Sequence, residues 1–103
     1  MDPNTVYDVL VIGAGPAGGS AAHHAAKQGL KTLLVEEHAA VGEPVHCGEC
    51  LSEIAEIRID MKFPKEVIAL PVKGVNVIFP DQHKVKLTEQ GYVLEKHAFE
   101  KWL

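Results

Sequence analysis

Both cysteines of the chain fall in one short stretch, EPVHCGECLS at positions 43–52. His46, Cys47 and Cys50 form an H-C-x-x-C arrangement. Thiols and an imidazole at this spacing suit soft-metal binding, dithiol–disulfide exchange, or a reactive thiol beside a cofactor. A structural zinc site takes four ligands; only His38 lies nearby as a fourth, and there is no second C-x-x-C. No metal is therefore assigned. A thioredoxin-like pair opens a helix after a strand. Here the preceding strand and helix carry a different motif.

That motif is GAGPAG, with Gly13, Gly15 and Gly18 in G-x-G-x-x-G spacing. Alone the pattern is weak. Its context is what a dinucleotide site requires: a strand before, a helix after, a second strand, and an acid at its end. Gly13 permits the tight turn, Gly15 lets a pyrophosphate approach the backbone, and Gly18 lets the helix pack closely. Free N–H groups at the helix start attract phosphate. Glu36 follows Gly18 by 18 residues. Its carboxylate suits the two ribose hydroxyls of an adenosine and disfavours a 2′-phosphate. Glu37 is the neighbouring acid, but successive strand residues point to opposite faces, and Glu36 is preferred.

The elements that must hold these groups follow from periodicity. Val6 to Ile12 is an apolar run broken only by Asp8, suited to a buried parallel strand. Pro16 fits the first helical turn and Gly29 the position after its last. Ala17, Ala21, Ala22, Ala25 and Ala26 lie between them as a small-residue face for close packing on a sheet. Thr32 to Val35 is a second strand. Residues 6–37 thus predict a right-handed βαβ unit. A cysteine loop at 42–52 follows, and LSEIAEIRI has helical spacing. Residues 72–88 alternate as a β-hairpin or meander. Residues 95–103 begin a helix whose apolar pattern runs to the last residue, as though the chain were cut inside it.

The chain has 103 residues, 47% hydrophobic and 23% charged, with a formal net charge of −4. That is one small globular domain, with no basic excess for nucleic acid. There is no 18-residue apolar span and no signal peptide, and two cysteines make no disulfide scaffold. A cytoplasmic location is expected. His23 and His24, adjacent on a helix, point about 100° apart and do not chelate one ion.

The wording GxGPAG resembles that of glutathione-reductase-like flavoproteins, which favours FAD over NAD. More specifically, YDVLVIGAGPAG through VEEHAAVGEPVHCGECLS resembles the N-terminus of the geranylgeranyl reductase family, particularly archaeal-type digeranylgeranylglycerophospholipid reductases. Gly42, Pro44, Val45, Cys47, Gly48, Glu49, Leu51 and Ser52 match its G-x-P-V-x-C-G-E-G-L-S-like segment. The resemblance implies a truncated α/β fold: a Rossmann-like FAD-binding βαβ unit followed by a β-hairpin or meander, related to glutathione reductase and p-hydroxybenzoate hydroxylase. The implied reaction is saturation of isolated double bonds in geranylgeranyl chains of isoprenoid lipids, with hydride from reduced flavin. The implied electron donor is reduced nicotinamide or ferredoxin, and the longer protein would touch the membrane peripherally.

By the same resemblance Gly13, Gly15, Pro16, Ala17 and Gly18 lie along the cofactor's pyrophosphate and Glu36 at its ribose. Cys47, Gly48 and Cys50 run beside the flavin, and Lys96 stands near FAD. Cys47 is the one catalytic candidate. Three positions depart from the family: Cys50 replaces glycine, Lys96 replaces arginine, and Glu100 replaces aspartate. Lysine keeps the charge but loses the planar fork. The alternatives are an FAD-dependent monooxygenase of the same fold and a non-catalytic nucleotide-binding fragment.

Overall fold

The computed structural model describes residues 2–103. Strand β1 (Val9–Ile12) leads through the glycine turn into helix α1 (Pro16–Lys27). Strand β2 (Thr32–Val35) returns parallel to β1, with Val9 opposite Thr32 and Ile12 opposite Val35. The strand begins later than the apolar run starting at Val6. The Asp8 carboxylate accepts the Lys31 N–H at 2.8 Å, which ties the lead-in to the segment before β2 rather than to a ladder. Pro16 starts α1, and Gly29, at φ +82°, turns the chain away after it. Only glycine takes that left-handed angle without strain.

The alanine face differs from expectation. Ala22 is buried together with Gly19, whereas Ala17, Ala21 and Ala26 are exposed. The helix meets β1 through Gly18, whose Cβ would lie 3.4 Å from Val11 Cγ1, and it also meets the chain's last residue: a Cβ at Gly19 would come within 3.1 Å of the Leu103 Cβ.

Beyond the cysteine loop, Cys50–Ser52 form strand β3, and helix α2 spans only Ile54–Arg58. The helical spacing from Leu51 is overridden by pairing. Strand β4 (Ile68–Val72) follows a single 3₁₀ turn at Lys65–Val67. Strands β5 (Val75–Ile78) and β6 (Lys84–Leu87) form a separate antiparallel hairpin, shorter than the 72–88 span because Val72 belongs to β4. Strand β7 (Gly91–Leu94) lies between β3 and β4 in a three-stranded antiparallel sheet, Leu51 opposite Tyr92 and Ser52 opposite Gly91. Helix α3 (Lys96–Trp102) closes the chain.

The hydrophobic core lies outside the βαβ unit. Phe63, Val67, Leu94 and Phe99 are buried together, and Leu51, Ala55 and Trp102 pack around them. The Phe63 ring meets Tyr92, Phe99 and Trp102 edge-on at centroid distances of 5.8, 5.3 and 5.9 Å. Such T-shaped pairs favour the ring quadrupoles. Burial opposes ionisation of Glu56 beside this core. The Phe63 N–H and the Lys62 ammonium outweigh it and leave the carboxyl below its ordinary pKa.

The radius of gyration is 17.2 Å, with extents of 61 × 26 × 23 Å. A compact chain of this length has a radius of about 13 Å. In the β5–β6 hairpin and its turn, Val75, Ile78, Phe79 and Leu87 are exposed. Leu10 and Ile12 of β1 are exposed as well. Among the described residues no helix is long and apolar enough to cross a membrane.

Candidate nucleotide-binding site

The glycine turn is built on backbone contacts. The Gly13 N–H donates to the Val35 carbonyl at 2.7 Å, and Gly13 has φ +96°. This joins the ends of β1 and β2. A Cβ at Gly18 would lie 1.8 Å from the Gly13 carbonyl oxygen, so no side chain is possible there without moving the turn. Gly15 is the opposite case: its Cβ would meet nothing within 4 Å. The space in front of Gly15 is open to a group approaching the backbone. The amides of Ala17 and Gly18, in the first turn of α1, have no intrahelical acceptor.

Glu36 closes β2 and faces this turn. Its Oε2 accepts the Ala14 N–H at 2.7 Å, and its Oε1 accepts the His38 N–H at 3.0 Å and contacts His38 Nδ1 at 2.9 Å. The Ala14 N–H, then the His38 N–H and ring, lower the carboxyl pKa from 4.5 to about 2. A carboxylate has about four acceptor positions, and with these three contacts in place one remains for a hydroxyl donor. Gly13, Gly15 and Glu36 line one cavity of about 510 Å³, with Glu37, His38, His46 and Glu100.

The other predicted residues gather elsewhere. Pro16, Cys47, Cys50 and Lys96 line a second, mostly apolar cavity of about 240 Å³, with Leu51, Phe63 and Phe99. Ala17 and Gly48 are exposed and Gly18 is half-buried; none of the three lines either cavity. The cysteines are free and exposed. Cys47 Sγ accepts the Glu49 N–H at 3.2 Å, and the Cys50 thiol donates to the Gly48 carbonyl at 3.5 Å. Both thiols thus grip the same peptide group, Gly48–Glu49, from its two ends.

The two cavities are joined by an ion pair along α3. Lys96 lines the apolar one, Glu100 the polar one, and the Lys96 ammonium bonds the Glu100 carboxylate. That bond raises the Lys96 pKa. The i, i+4 spacing is visible in the sequence, and it marks a pair that a residue-by-residue reading leaves apart. Ala14 and His38 carry no motif signal, and the motif that includes Glu49 gives it no role; the parts all three play appear only with the fold. Among the described residues, one trio of potential metal ligands converges, Glu36, Glu37 and His38. His46, Cys47 and Cys50 do not form such a group.

The residues present fit a dinucleotide: an unobstructed glycine and an ionised acid share one cavity, and the free first-turn amides of Ala17 and Gly18 follow that glycine in the chain. Parallel βαβ architecture with this turn defines the class of dinucleotide-binding domains. The family model for FAD dependent oxidoreductases matches residues 8–43. The chain is 43% identical to the digeranylgeranylglycerophospholipid reductase of Thermoplasma acidophilum, covering 94% of this chain and 26% of that protein. The proteins of the same name from Picrophilus torridus and Methanocaldococcus jannaschii are 46% and 43% identical. These matches cover 92% and 97% of this chain and 26% of each relative. A solved geranylgeranyl bacteriochlorophyll reductase-like protein from T. acidophilum superposes with a TM-score of 0.88 at 44% identity, covering 93% of this chain and 26% of its own. Over more than nine-tenths of its length the chain is similar in sequence and fold to these reductases and to the reductase-like protein. It spans about a quarter of the length of the curated relatives it matches.

Proposed function

We propose that this chain is the FAD-binding portion of an oxidoreductase that saturates C=C bonds in geranylgeranyl chains of isoprenoid lipids. The observation that carries the reading is the Glu36 carboxylate, held ionised against the glycine turn on the cavity that Gly13 and Gly15 line. Gly15, Ala17 and Gly18 take the pyrophosphate through backbone N–H groups, Gly13 shapes the turn that presents them, and Glu36 takes the adenosine ribose.

Bound FAD would supply hydride chemistry at its flavin ring. The chain's own contribution is positioning and exclusion of water. The apolar cavity beside Cys47, with Leu51, Phe63 and Phe99 in its wall, suits a water-poor flank for an unactivated alkene, which offers no carbonyl to polarise. Pro16, Cys47, Gly48 and Cys50 form the flavin side of the site, and Lys96 supplies positive charge at its edge. Cys47 is the candidate catalytic thiol. The electron donor in this reading is reduced nicotinamide or ferredoxin. The setting is the cytoplasm, with peripheral contact at the membrane that holds the lipid.

The test is direct. The purified chain is titrated with FAD and with ADP, and the flavin is followed by absorbance. Saturable binding of both, weakened by Glu36→Ala, is expected. Binding that ignores Glu36→Ala and Gly15→Val would overturn the reading.

A further inference from the structure

Glu49 stands at φ +65°, in the left-handed region where glycine is the usual residue. Gly48 directly precedes it, with open space around its Cβ position. Backbone ease alone would place a second glycine here. Residue 49 makes three bonds: two use its backbone, as any residue held at this angle would, and the third is what the glutamate side chain adds. Its N–H donates to Cys47 Sγ at 3.2 Å. Its carbonyl accepts the Leu94 N–H at 2.8 Å. Its Oε1 accepts the Lys96 N–H at 3.2 Å.

These bonds have different destinations. The first stays inside the cysteine loop and fixes one lone pair of the Cys47 sulfur. The other two reach the end of β7 and the first residue of α3. Glu95, which precedes α3, gives that helix no side-chain cap, so Glu49 serves Lys96 from across the fold. The Lys96 ammonium is then turned along the helix to Glu100.

We infer that Glu49 is a positioning residue: it clamps the Cys47 sulfur and Lys96 to each other at the wall of the apolar cavity. The inference deepens the proposed function and rests on its flavin-side assignment of that cavity. Glu49 touches no reacting group. It acts by holding two residues that would.

The consequence is selective. ADP reaches only the glycine turn and Glu36. FAD also needs the Cys47–Lys96 end. A loosened clamp therefore weakens FAD and spares ADP, whereas general unfolding weakens both.

The experiment compares Glu49→Ala, Glu49→Gln and Glu49→Gly in the 103-residue chain. Backbone amide exchange is measured at residues 49 and 96, corrected for intrinsic rates, and FAD and ADP affinities are measured beside it. Glu49→Ala is expected to speed exchange at both amides by about fivefold, with β2 unchanged. It lowers FAD affinity by about tenfold and leaves ADP within about twofold. Glu49→Gln, which keeps an acceptor oxygen, recovers most of both. Glu49→Gly relaxes the backbone but lacks the carboxylate, and behaves as Glu49→Ala. Parallel losses of FAD and ADP affinity, or a glycine variant matching the unsubstituted chain, would overturn the inference. Should the unsubstituted chain bind neither nucleotide, the nucleotide reading falls, and exchange alone judges the clamp: unaltered rates at residues 49 and 96 overturn it.

Discussion

The Ala14 N–H donates to Glu36 Oε2 at 2.7 Å, so the residue that ends β2 holds the turn that ends β1. The same carboxylate that suits a ribose is already structural before any ligand arrives. Its low pKa gives the first prediction. A carboxyl depressed from 4.5 to about 2 contributes stability above its unfolded pKa and loses it as pH falls toward the folded one. Stability is expected to decline from about pH 4.5 to about pH 2. The Glu36→Gln variant shows a flatter decline over that range in urea unfolding. The Ala14 amide resonance should titrate with the same low midpoint; a midpoint near the ordinary carboxylate value would contradict it.

Gly15 and Gly18 separate affinity from stability. Gly18→Ala places a methyl against the Gly13 carbonyl and should cost about 1–3 kcal/mol, read from the denaturant midpoint. Gly15→Ala meets nothing and should change stability by only about 0.5 kcal/mol. It should nevertheless lower ADP affinity, because the methyl stands where a phosphate approaches the backbone. Equal effects of the two substitutions on stability would refute this division.

Lys96 and Glu100 form the pair between the cavities, and Glu100 is 9% exposed. Removing the ammonium with Lys96→Met leaves a carboxylate nearly out of water, at a cost of about 1–3 kcal/mol. Adding Glu100→Gln removes the stranded charge, and the double variant should regain part of the loss. A double-mutant cycle with no coupling would show that the two do not act as a pair.

Cys50 opens β3, and its side chain is exposed beside β7. Its thiol makes one long bond to the Gly48 carbonyl. Cys50→Ser should be nearly neutral, within about 0.5 kcal/mol in thermal or urea unfolding. A larger loss would assign Cys50 a structural part that the contacts do not predict.

The portions legible in the sequence are those fixed by backbone sterics. Gly18 is required by a carbonyl five residues earlier, and Glu36 follows from the length of one βαβ turn; both constraints are local. Cys50–Ser52 was not legible as a strand, because its partners are Gly91–Val93, some 40 residues on, and the intervening spacing mimics a helix. The alanines of α1 misled for a related reason. Their spacing marks a small face, but the burying partner at Gly19 is Leu103, which periodicity within α1 cannot reveal. Glu49 lies within the cysteine-segment motif, yet its role depends on β7 and α3 arriving beside the cysteine loop.

The molecule is more than twice as long as it is wide, at 61 × 26 × 23 Å. In solution an 11.2 kDa chain of that outline meets extra drag. It will leave a size-exclusion column ahead of spherical standards of its mass and sediment behind them. Its rotation will be anisotropic, slow for the long axis to reorient and fast about it. A larger apparent size in those measurements is thus the signature of a single elongated copy, and mass alone distinguishes it from a dimer.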